Sequence, residues 1–283
     1  MKRKLLILAA VLAVSGCAAV NSPSDPPPNP NIVLYTAIGA SDTTGFGSSV
    51  PCLPLTSCPD GTGYVQTIER RLRTSGKSVT LLNLGIPGAV LAPEVQAIGN
   101  QLGRGIVGNF IEREIPFVQR NATLVSVFAG GNDANTIGAA IAAGFGGVNP
   151  LGYVQTQTDN FGRDLRTLIA GIKERAPQAR IVVLNLPNMA GLPYASGYTP
   201  NEKRWLQTIA VGFSAQVNKL GSQGVLVIDL MCDAAFYQGG MYSGDGFHPN
   251  DAGYSRLADF IVAAANTGSV TPPRASCSQM TLF

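Results

Sequence analysis

Residues 32–38, IVLYTAI, form an unbroken apolar run that leads directly into the turn sequence GASDTTG at residues 39–45. Four more runs rich in apolar residues follow, at 78–84 (SVTLLNL), 122–129 (ATLVSVFA), 180–186 (RIVVLNL) and 224–230 (GVLVIDL). Nearly continuous apolar runs are typical of parallel strands that are buried on both faces of a sheet. Stretches with helical character separate them, clearest at 62–75, 151–176, 200–221 and 251–266. The alternation predicts a three-layer α/β domain with a five-stranded parallel sheet.

The chain divides into segments of different composition. Residues 31–266 carry all five runs and predict a single domain, since about 235 residues can bury a sizeable core. Residues 17–30 are small, polar and proline-rich, which predicts an extended linker. Residues 267–283 show no periodicity and predict a C-terminal tail. The Gly/Ala-rich segment 134–150 predicts a loose connection after the third strand, with a mobile flap over a pocket as the alternative.

The N-terminus has the pattern of an export signal. Basic residues at positions 2–4 precede an apolar stretch, residues 5–14, that is too short to span a bilayer as a mature helix. Val14-Ser15-Gly16-Cys17 resembles a bacterial lipobox, which implies a lipoprotein signal peptide at residues 1–16 and a lipid on Cys17. We therefore expect a protein tethered in the bacterial cell envelope, at the outer membrane, facing the periplasm or on the cell surface. An ordinary secretory signal with an incidental cysteine is the alternative.

The charge balance argues against one class of function. The whole chain has 20 Lys and Arg against 17 Asp and Glu, which gives a formal charge of +3. Three of the basic residues, and none of the acidic ones, lie within residues 1–16, so cleavage would leave a neutral chain. A neutral chain offers no electrostatic case for binding nucleic acid or an anionic membrane surface. We expect neither.

The five cysteines also divide by position. With Cys17 assigned to the lipid, four remain, and an even number in an exported protein predicts two disulfides. Of the three possible connectivities we favour Cys52–Cys58, which closes a short loop, and Cys232–Cys277, which would attach the tail to the domain. No pair has zinc-finger spacing, and the single histidine of the chain cannot build a His-rich metal site. We expect no metal.

Residues of types that often form catalytic or binding sites follow four of the five predicted strands. In chain order they are Ser41, the glycines Gly85 and Gly88, Asn132, and the pair Asp245 and His248. Each has an ordinary structural alternative, because serine caps helices, glycine forms turns, and asparagine and aspartate close turns with their side chains. Ligands bind beyond the carboxyl ends of the strands in open α/β sheets, so the shared placement favours one functional site.

The blocks GGND at residues 130–133 and DGFHP at residues 245–249, together with the serine turn, resemble the SGNH or GDSL hydrolase family. The resemblance extends in family order from Ile32 to about Ile261. It implies a flavodoxin-like fold and a serine esterase or lipase that cleaves carboxylic esters through an acyl-enzyme. Such chemistry requires no cofactor. A Gly-x-Ser-x-Gly elbow, the signature of the usual α/β-hydrolases, does not occur in the chain.

The resemblance also implies a role for each residue. Ser41 would be the nucleophile, His248 the general base and Asp245 the carboxylate that orients it. The oxyanion hole would combine the N–H groups of Ser41 and Gly88 with the side-chain amide of Asn132. Gly88, five residues after Asn83, fits the family's glycine better than Gly85 does.

One block departs from the family pattern. The family usually has Gly-Asp-Ser-Leu, whereas this chain has Gly39-Ala40-Ser41-Asp42. The missing aspartate supports the loop in the family and does not attack the substrate. Its loss therefore concerns how the loop is held, and the sequence leaves open whether Asp42 substitutes for it.

The sequence as a whole predicts a monomeric, lipid-anchored serine hydrolase acting on an ester of a lipid, a small molecule or a glycan. Two alternatives remain. The same machinery could transfer the acyl group to a sugar or lipid acceptor, or the altered loop could belong to a non-catalytic binding lipoprotein on this scaffold. Candidates for the wall of a substrate pocket are Ile137, Phe145 and Phe247.

Overall fold

A computed structural model describes residues 29–283 of the chain. The predicted signal peptide at 1–16, the predicted lipid attachment site Cys17 and nearly all of the predicted linker at 17–30 lie outside the described residues. Within the described part, no helix is both long and apolar enough to cross a membrane.

Five strands form a single parallel sheet. They are β1 (Ile32–Gly39), β2 (Ser78–Asn83), β3 (Leu124–Phe128), β4 (Arg180–Leu184) and β5 (Leu226–Ile228). The spatial order β2-β1-β3-β4-β5 is that of flavodoxin-like folds, so the predicted fold class is confirmed. Strands β2 to β5 end one or two residues before the predicted apolar runs do, and the remaining residues of each run enter the loops at the carboxyl edge.

Helices cover both faces of the sheet. Within residues 29–283 the α-helices are α1 (Tyr64–Thr74), α2 (Pro93–Gln101), α3 (Phe110–Arg113), α4 (Gly131–Ala142), α5 (Pro150–Arg175), α6 (Pro200–Asn218) and α7 (Asp251–Thr267). Helices α1 and α7 pack against each other on one face, and α4, α5 and α6 pack together on the other.

The central strand β3 shows why the apolar runs lack polar alternation. Val125 and Val127 belong to the core under α5 and α6, while Leu124 belongs to the core under α1 and α7. Aromatic pairs stack in both layers, with ring centroids 4.0 Å apart for Phe161 and Phe213. Because successive side chains enter opposite cores, both sets must be apolar.

The prediction of a loose connection at residues 134–150 is wrong for its first half. Helix α4 extends through Ala142 and buries Ala134, Ile137 and Ala140 in the core that it shares with α5 and α6. Alanine has the highest helix propensity, and these three residues recur at the spacing of one helix face. The glycines at 144, 146 and 147 do lie in the connection that leads to α5.

Both predicted disulfides are confirmed. Cys52 is bonded to Cys58, and Cys232 is bonded to Cys277. The second bond attaches the C-terminal tail to the loop after β5, where the Arg274 N–H also donates to the Asp229 carboxylate at 3.0 Å.

Candidate active site

The Ser41 loop begins where β1 ends. Residues Ser41–Thr44 form one turn of 3-10 helix, preceded by Ala40. Ser41 is buried, and its Oγ lies 2.8 Å from Nε2 of His248. The alternative role of Ser41 as a helix cap is therefore not observed, because its hydroxyl is directed at the imidazole.

Several hydrogen bonds hold this loop in the absence of the family's aspartate, among them three that involve side chains. The Gly39 N–H donates to Oε2 of Glu114 at 2.9 Å, the Asn83 amide donates to the Thr43 carbonyl at 2.6 Å, and the Thr43 hydroxyl donates to the Ala40 carbonyl. Asp42 does not take over this support, since the one hydrogen bond of its side chain within residues 29–283 is a long contact of 3.5 Å from the Tyr254 hydroxyl. Two of these bonds, those with Glu114 and Asn83, join the loop to distant segments of the chain.

Glu114 is the residue that sequence reasoning missed. It is completely buried, and burial raises the pKa of its carboxyl group well above the ordinary value, an effect larger than that of the hydrogen bond from Gly39. A weak signal exists in the sequence. Glu114 lies four residues after the buried Phe110, a spacing that places the two side chains on the same helix face.

Asp245 and His248 lie in the loop that precedes α7. Oδ2 of Asp245 lies 2.6 Å from Nδ1 of His248, and Oδ1 accepts the N–H groups of Phe247 and His248 at 2.9 Å and the Ser243 hydroxyl at 2.8 Å. Partial burial opposes ionisation, but these hydrogen bonds outweigh it and lower the pKa of Asp245 to about 2. An ionised carboxylate only accepts, so Nδ1 carries the proton and Nε2 is left to accept from Ser41.

Two aromatic rings hold the imidazole in place. The Phe46 and Phe247 rings lie 4.7 and 4.8 Å from the His248 ring, centroid to centroid. With 13% of the side chain exposed, His248 is accessible while its orientation is restricted by this packing and by Asp245.

The two glycines after β2 have different surroundings. Gly88 has a φ of +80° in the turn in which the Ala89 N–H donates to the Ile86 carbonyl at 3.0 Å, and space is open around its Cα. Gly85 lies against the Ser41 loop, because a Cβ there would overlap the Thr43 hydroxyl. The close approach requires glycine at position 85 for packing, which leaves Gly88 as the candidate N–H donor.

Asn132, in the first turn of α4, is tied to the same turn. Its amide donates one N–H to the Ala89 carbonyl at 2.9 Å, and a primary amide has a second N–H to offer. Within residues 29–283, the backbone N–H groups of Ser41 and Gly88 have no protein acceptor. The structure joins Ser41, His248 and Asp245 through hydrogen bonds and ties Asn132 to the residue after Gly88.

An apolar cavity of about 50 Å³ adjoins these groups. Its walls include two polar residues, Asn132 and Asp42. The apolar residues of the walls include Phe110, Phe128, Leu186, Met189 and Phe236. Of the three predicted pocket residues only Phe247 lines it. Ile137 is completely buried in the core, and Phe145 packs on Tyr153, with ring centroids 6.2 Å apart.

The described part of the chain contains no group of three or more His, Cys, Asp or Glu side chains that could hold a metal ion.

Residues 37–256 match the sequence profile of the GDSL-like Lipase/Acylhydrolase family. The chain belongs to this family. It is accordingly a carboxylic ester hydrolase of the esterase and lipase class. A comparison with curated protein sequences found no match.

Solved structures similar to this GDSL-like hydrolase include an extracellular lipase from Streptomyces rimosus, with 19% identity and a TM-score of 0.54 over 82% of this chain and 99% of that one. A phospholipase A1 from Streptomyces albidoflavus has 17% identity and a TM-score of 0.54, over 82% and 99%. A variant acetyl xylan esterase from Geobacillus stearothermophilus has 18% identity and a TM-score of 0.51, over 84% and 96%. At these identities the likeness establishes a shared fold.

Proposed function

We propose that this GDSL-like hydrolase is an exported, lipid-anchored serine esterase that works through an acyl-enzyme on Ser41. One observation carries the proposal. The Ser41 hydroxyl, the His248 imidazole and the Asp245 carboxylate form a continuous hydrogen-bonded chain, with distances of 2.8 and 2.6 Å.

Acylation of Ser41 follows from this arrangement. A serine hydroxyl is a weak nucleophile until a base takes its proton. Nε2 of His248 accepts that proton as Ser41 Oγ attacks the ester carbonyl, and the Asp245 carboxylate stabilises the imidazolium. The imidazolium then protonates the departing alcohol oxygen as its bond to the acyl carbon breaks. Water, activated by His248 in the same way, hydrolyses the acyl-enzyme.

The attack converts the carbonyl oxygen into an oxyanion that needs donors already in position. The free N–H groups of Ser41 and Gly88 and the second N–H of Asn132 supply three. Losing one such donor costs roughly 10²- to 10³-fold in rate in other serine hydrolases. The bond from Asn132 to the Ala89 carbonyl keeps the amide oriented during this step.

Export and anchoring are supported by two kinds of observation. The two disulfides are typical of proteins that fold in an oxidising compartment. The basic and apolar residues before Val14-Ser15-Gly16-Cys17 have the order of a lipoprotein signal. Lipid on Cys17 would hold the catalytic domain at a membrane without a spanning helix.

The role of Ser41 is tested by kinetics and by covalent labelling. Full-length protein in detergent is assayed with p-nitrophenyl acetate, alongside Ser41→Ala and the control Ser57→Ala, which removes an exposed hydroxyl. We expect activity in the wild type and the control only, and a phosphonate adduct on the peptide that contains Ser41. Labelling of another serine would refute the assignment, and absence of hydrolysis would favour a binding scaffold. Product transferred to an added alcohol, in place of water, would favour an acyltransferase.

The anchor is tested independently. Wild-type protein and a Cys17→Ser variant are expressed with radiolabelled palmitate and partitioned into a detergent phase. We expect label and detergent partitioning in the wild type alone. Unlabelled wild-type protein that is secreted would instead indicate an ordinary signal sequence.

A further inference from the structure

A second, larger opening lies beside the catalytic histidine. This cleft, about 640 Å³ in volume, is formed by α4, the turn at Pro193–Gly197 and the first half of α6. We call it the aromatic cleft, defined by Arg104, Asn135, Tyr194, Tyr198, Trp205 and Phe247.

Phe247 connects the aromatic cleft with the catalytic residues. Its ring centroid lies 4.8 Å from that of His248 and 5.0 Å from that of Tyr194, and it lines both this cleft and the apolar cavity. The Tyr194 N–H donates to the Gly246 carbonyl at 3.1 Å, which fixes the cleft wall to the loop of Asp245 and His248. Phe247 therefore forms a wall that the aromatic cleft and the apolar cavity share beside His248.

The two openings differ in chemistry. The apolar cavity is small, since about 50 Å³ corresponds to the space of only a few water molecules. It suits a short acyl group. The aromatic cleft is more than ten times larger and combines four aromatic rings with polar side chains.

Several hydrogen-bond donors of the aromatic cleft have no protein partner. Within the described residues, no acceptor binds the side-chain N–H groups of Arg104 or Trp205, the Asn135 amide nitrogen or the Tyr198 hydroxyl. Oδ1 of Asn135 is occupied, because the Tyr194 hydroxyl donates to it at 3.0 Å. Asn135 and Trp205 are partly buried, so an alkyl chain that covered their donors would leave them without a hydrogen bond, which is unfavourable.

A sugar matches both features of this surface. Its C–H faces pack on aromatic rings, and its hydroxyl and ring oxygens accept hydrogen bonds from the free donors. We propose that the aromatic cleft binds the sugar part of an O-acylated carbohydrate, whose short acyl group enters the apolar cavity. The inference rests on the proposed function of Ser41. In the reaction the Ser41 Oγ–acyl bond forms, the acyl–oxygen bond to the sugar breaks, and His248 returns its proton to that oxygen.

Trp205 makes binding directly measurable, because it is the only tryptophan in the chain. Full-length wild-type protein in a polyoxyethylene detergent is titrated with xylohexaose and cellohexaose, which carry no ester, and with octanoate as an alkyl probe. We expect a saturable change of Trp205 fluorescence with at least one oligosaccharide. Saturation by octanoate alone would overturn the proposal in favour of an alkyl ligand.

Kinetics provide the second readout. The ratio of kcat/KM for acetylated xylobiose to kcat/KM for ethyl acetate, whose alcohol is too small to fill the cleft, is compared among variants. Tyr198→Ala should lower this ratio about tenfold or more, the usual effect of removing one substrate contact. The control Phe117→Ala removes another exposed ring, 63% exposed and outside the cleft, and should leave the ratio unchanged.

The two proposals fail in different ways. Ethyl acetate hydrolysis that depends on Ser41, together with an unchanged ratio in Tyr198→Ala and no response to the oligosaccharides, would overturn the cleft proposal alone. Hydrolysis that survives in Ser41→Ala would overturn the proposed function itself.

Discussion

The buried carboxyl group of Glu114 accepts the N–H of Gly39, two residues before Ser41, at a distance of 2.9 Å. The other oxygen of this carboxyl group, Oε1, is buried without a hydrogen-bond partner within the described residues. An acid buried in this way favours its neutral form, so a group that supports the Ser41 loop also makes stability depend on pH.

The first prediction concerns that pH dependence. Burial raises the pKa of Glu114 well above its ordinary value of 4.5, so above pH 4.5 the folded chain keeps a proton that the unfolded chain has lost. The contribution of Glu114 to the free energy of unfolding is greatest below pH 4.5. It falls by up to about 1.4 kcal/mol per pH unit as the pH rises toward the folded pKa. Glu114→Gln should make the decline of the whole protein shallower by this contribution, as measured by urea unfolding at pH 5, 6.5 and 8. The slope that is left comes from other buried acids such as Asp133, whose pKa burial raises to about 7.

A matched control exists for Glu114. Glu174 is exposed on the last turn of α5, and Glu174→Gln should leave the pH profile of the wild type intact. A Glu114→Gln profile parallel to that of the wild type would mean that the carboxyl group is already ionised in the folded protein.

A second prediction concerns the orientation of His248. Asp245→Asn removes the ionised acceptor that keeps the proton on Nδ1, so the ring can present a protonated Nε2 to Ser41. We expect kcat to fall on the order of 10⁴-fold with little change in KM. Asp259→Asn, at a carboxylate that is 68% exposed on α7, is the control. A loss below tenfold would show that Phe46 and Phe247 orient the ring without the carboxylate.

A third prediction concerns the length of the acyl group. Asp42 lines the apolar cavity at the position where the family usually has leucine, and burial raises its pKa. A longer acyl chain would have to cover this carboxyl group, which is unfavourable. Asp42→Leu should therefore raise kcat/KM for p-nitrophenyl octanoate relative to the acetate by about tenfold or more. Asp42→Asn keeps a polar group there and should preserve the preference for the acetate over the octanoate. An equal octanoate-to-acetate ratio of kcat/KM in Asp42→Leu and Asp42→Asn would argue against a role for the polarity of residue 42.

A fourth prediction compares the two disulfides. They join residues 45 and 6 positions apart, so the Cys232–Cys277 bond restricts the unfolded chain more. In the loop-entropy description, Cys232→Ala with Cys277→Ala should cost about 4 kcal/mol of unfolding free energy, and Cys52→Ala with Cys58→Ala about 2.4 kcal/mol. Urea unfolding of both double variants measures the difference. The reverse order would show that local packing outweighs chain entropy.

Some features of the protein follow from local sequence. The run at 32–38 predicts β1 because apolar residues on both sides of a strand require two covering layers, and the observed strand is Ile32–Gly39. The cysteine pairing was predictable because one bond closes a short loop and the other attaches a tail. The residues of the hydrogen-bonded triad all follow predicted parallel strands, whose carboxyl ends share one edge of the sheet, and the resemblance to the GDSL family implied their roles.

Tertiary structure decided the rest, because the deciding contacts join residues far apart in the chain. Helix α4 forms within a Gly/Ala-rich segment because Ala134, Ile137 and Ala140 pack into the hydrophobic core. Glu114 contacts Gly39, 75 positions away in the chain, and no local sequence pattern predicts that hydrogen bond. The aromatic cleft likewise exists only where α4 and α6 meet the loop of His248. By itself the sequence determined the strands, the disulfides and which side chains are candidates for the site, since these depend on residue type and order. The support of the Ser41 loop and the shape of the openings beside it depend on packing between distant segments, which only the folded chain specifies.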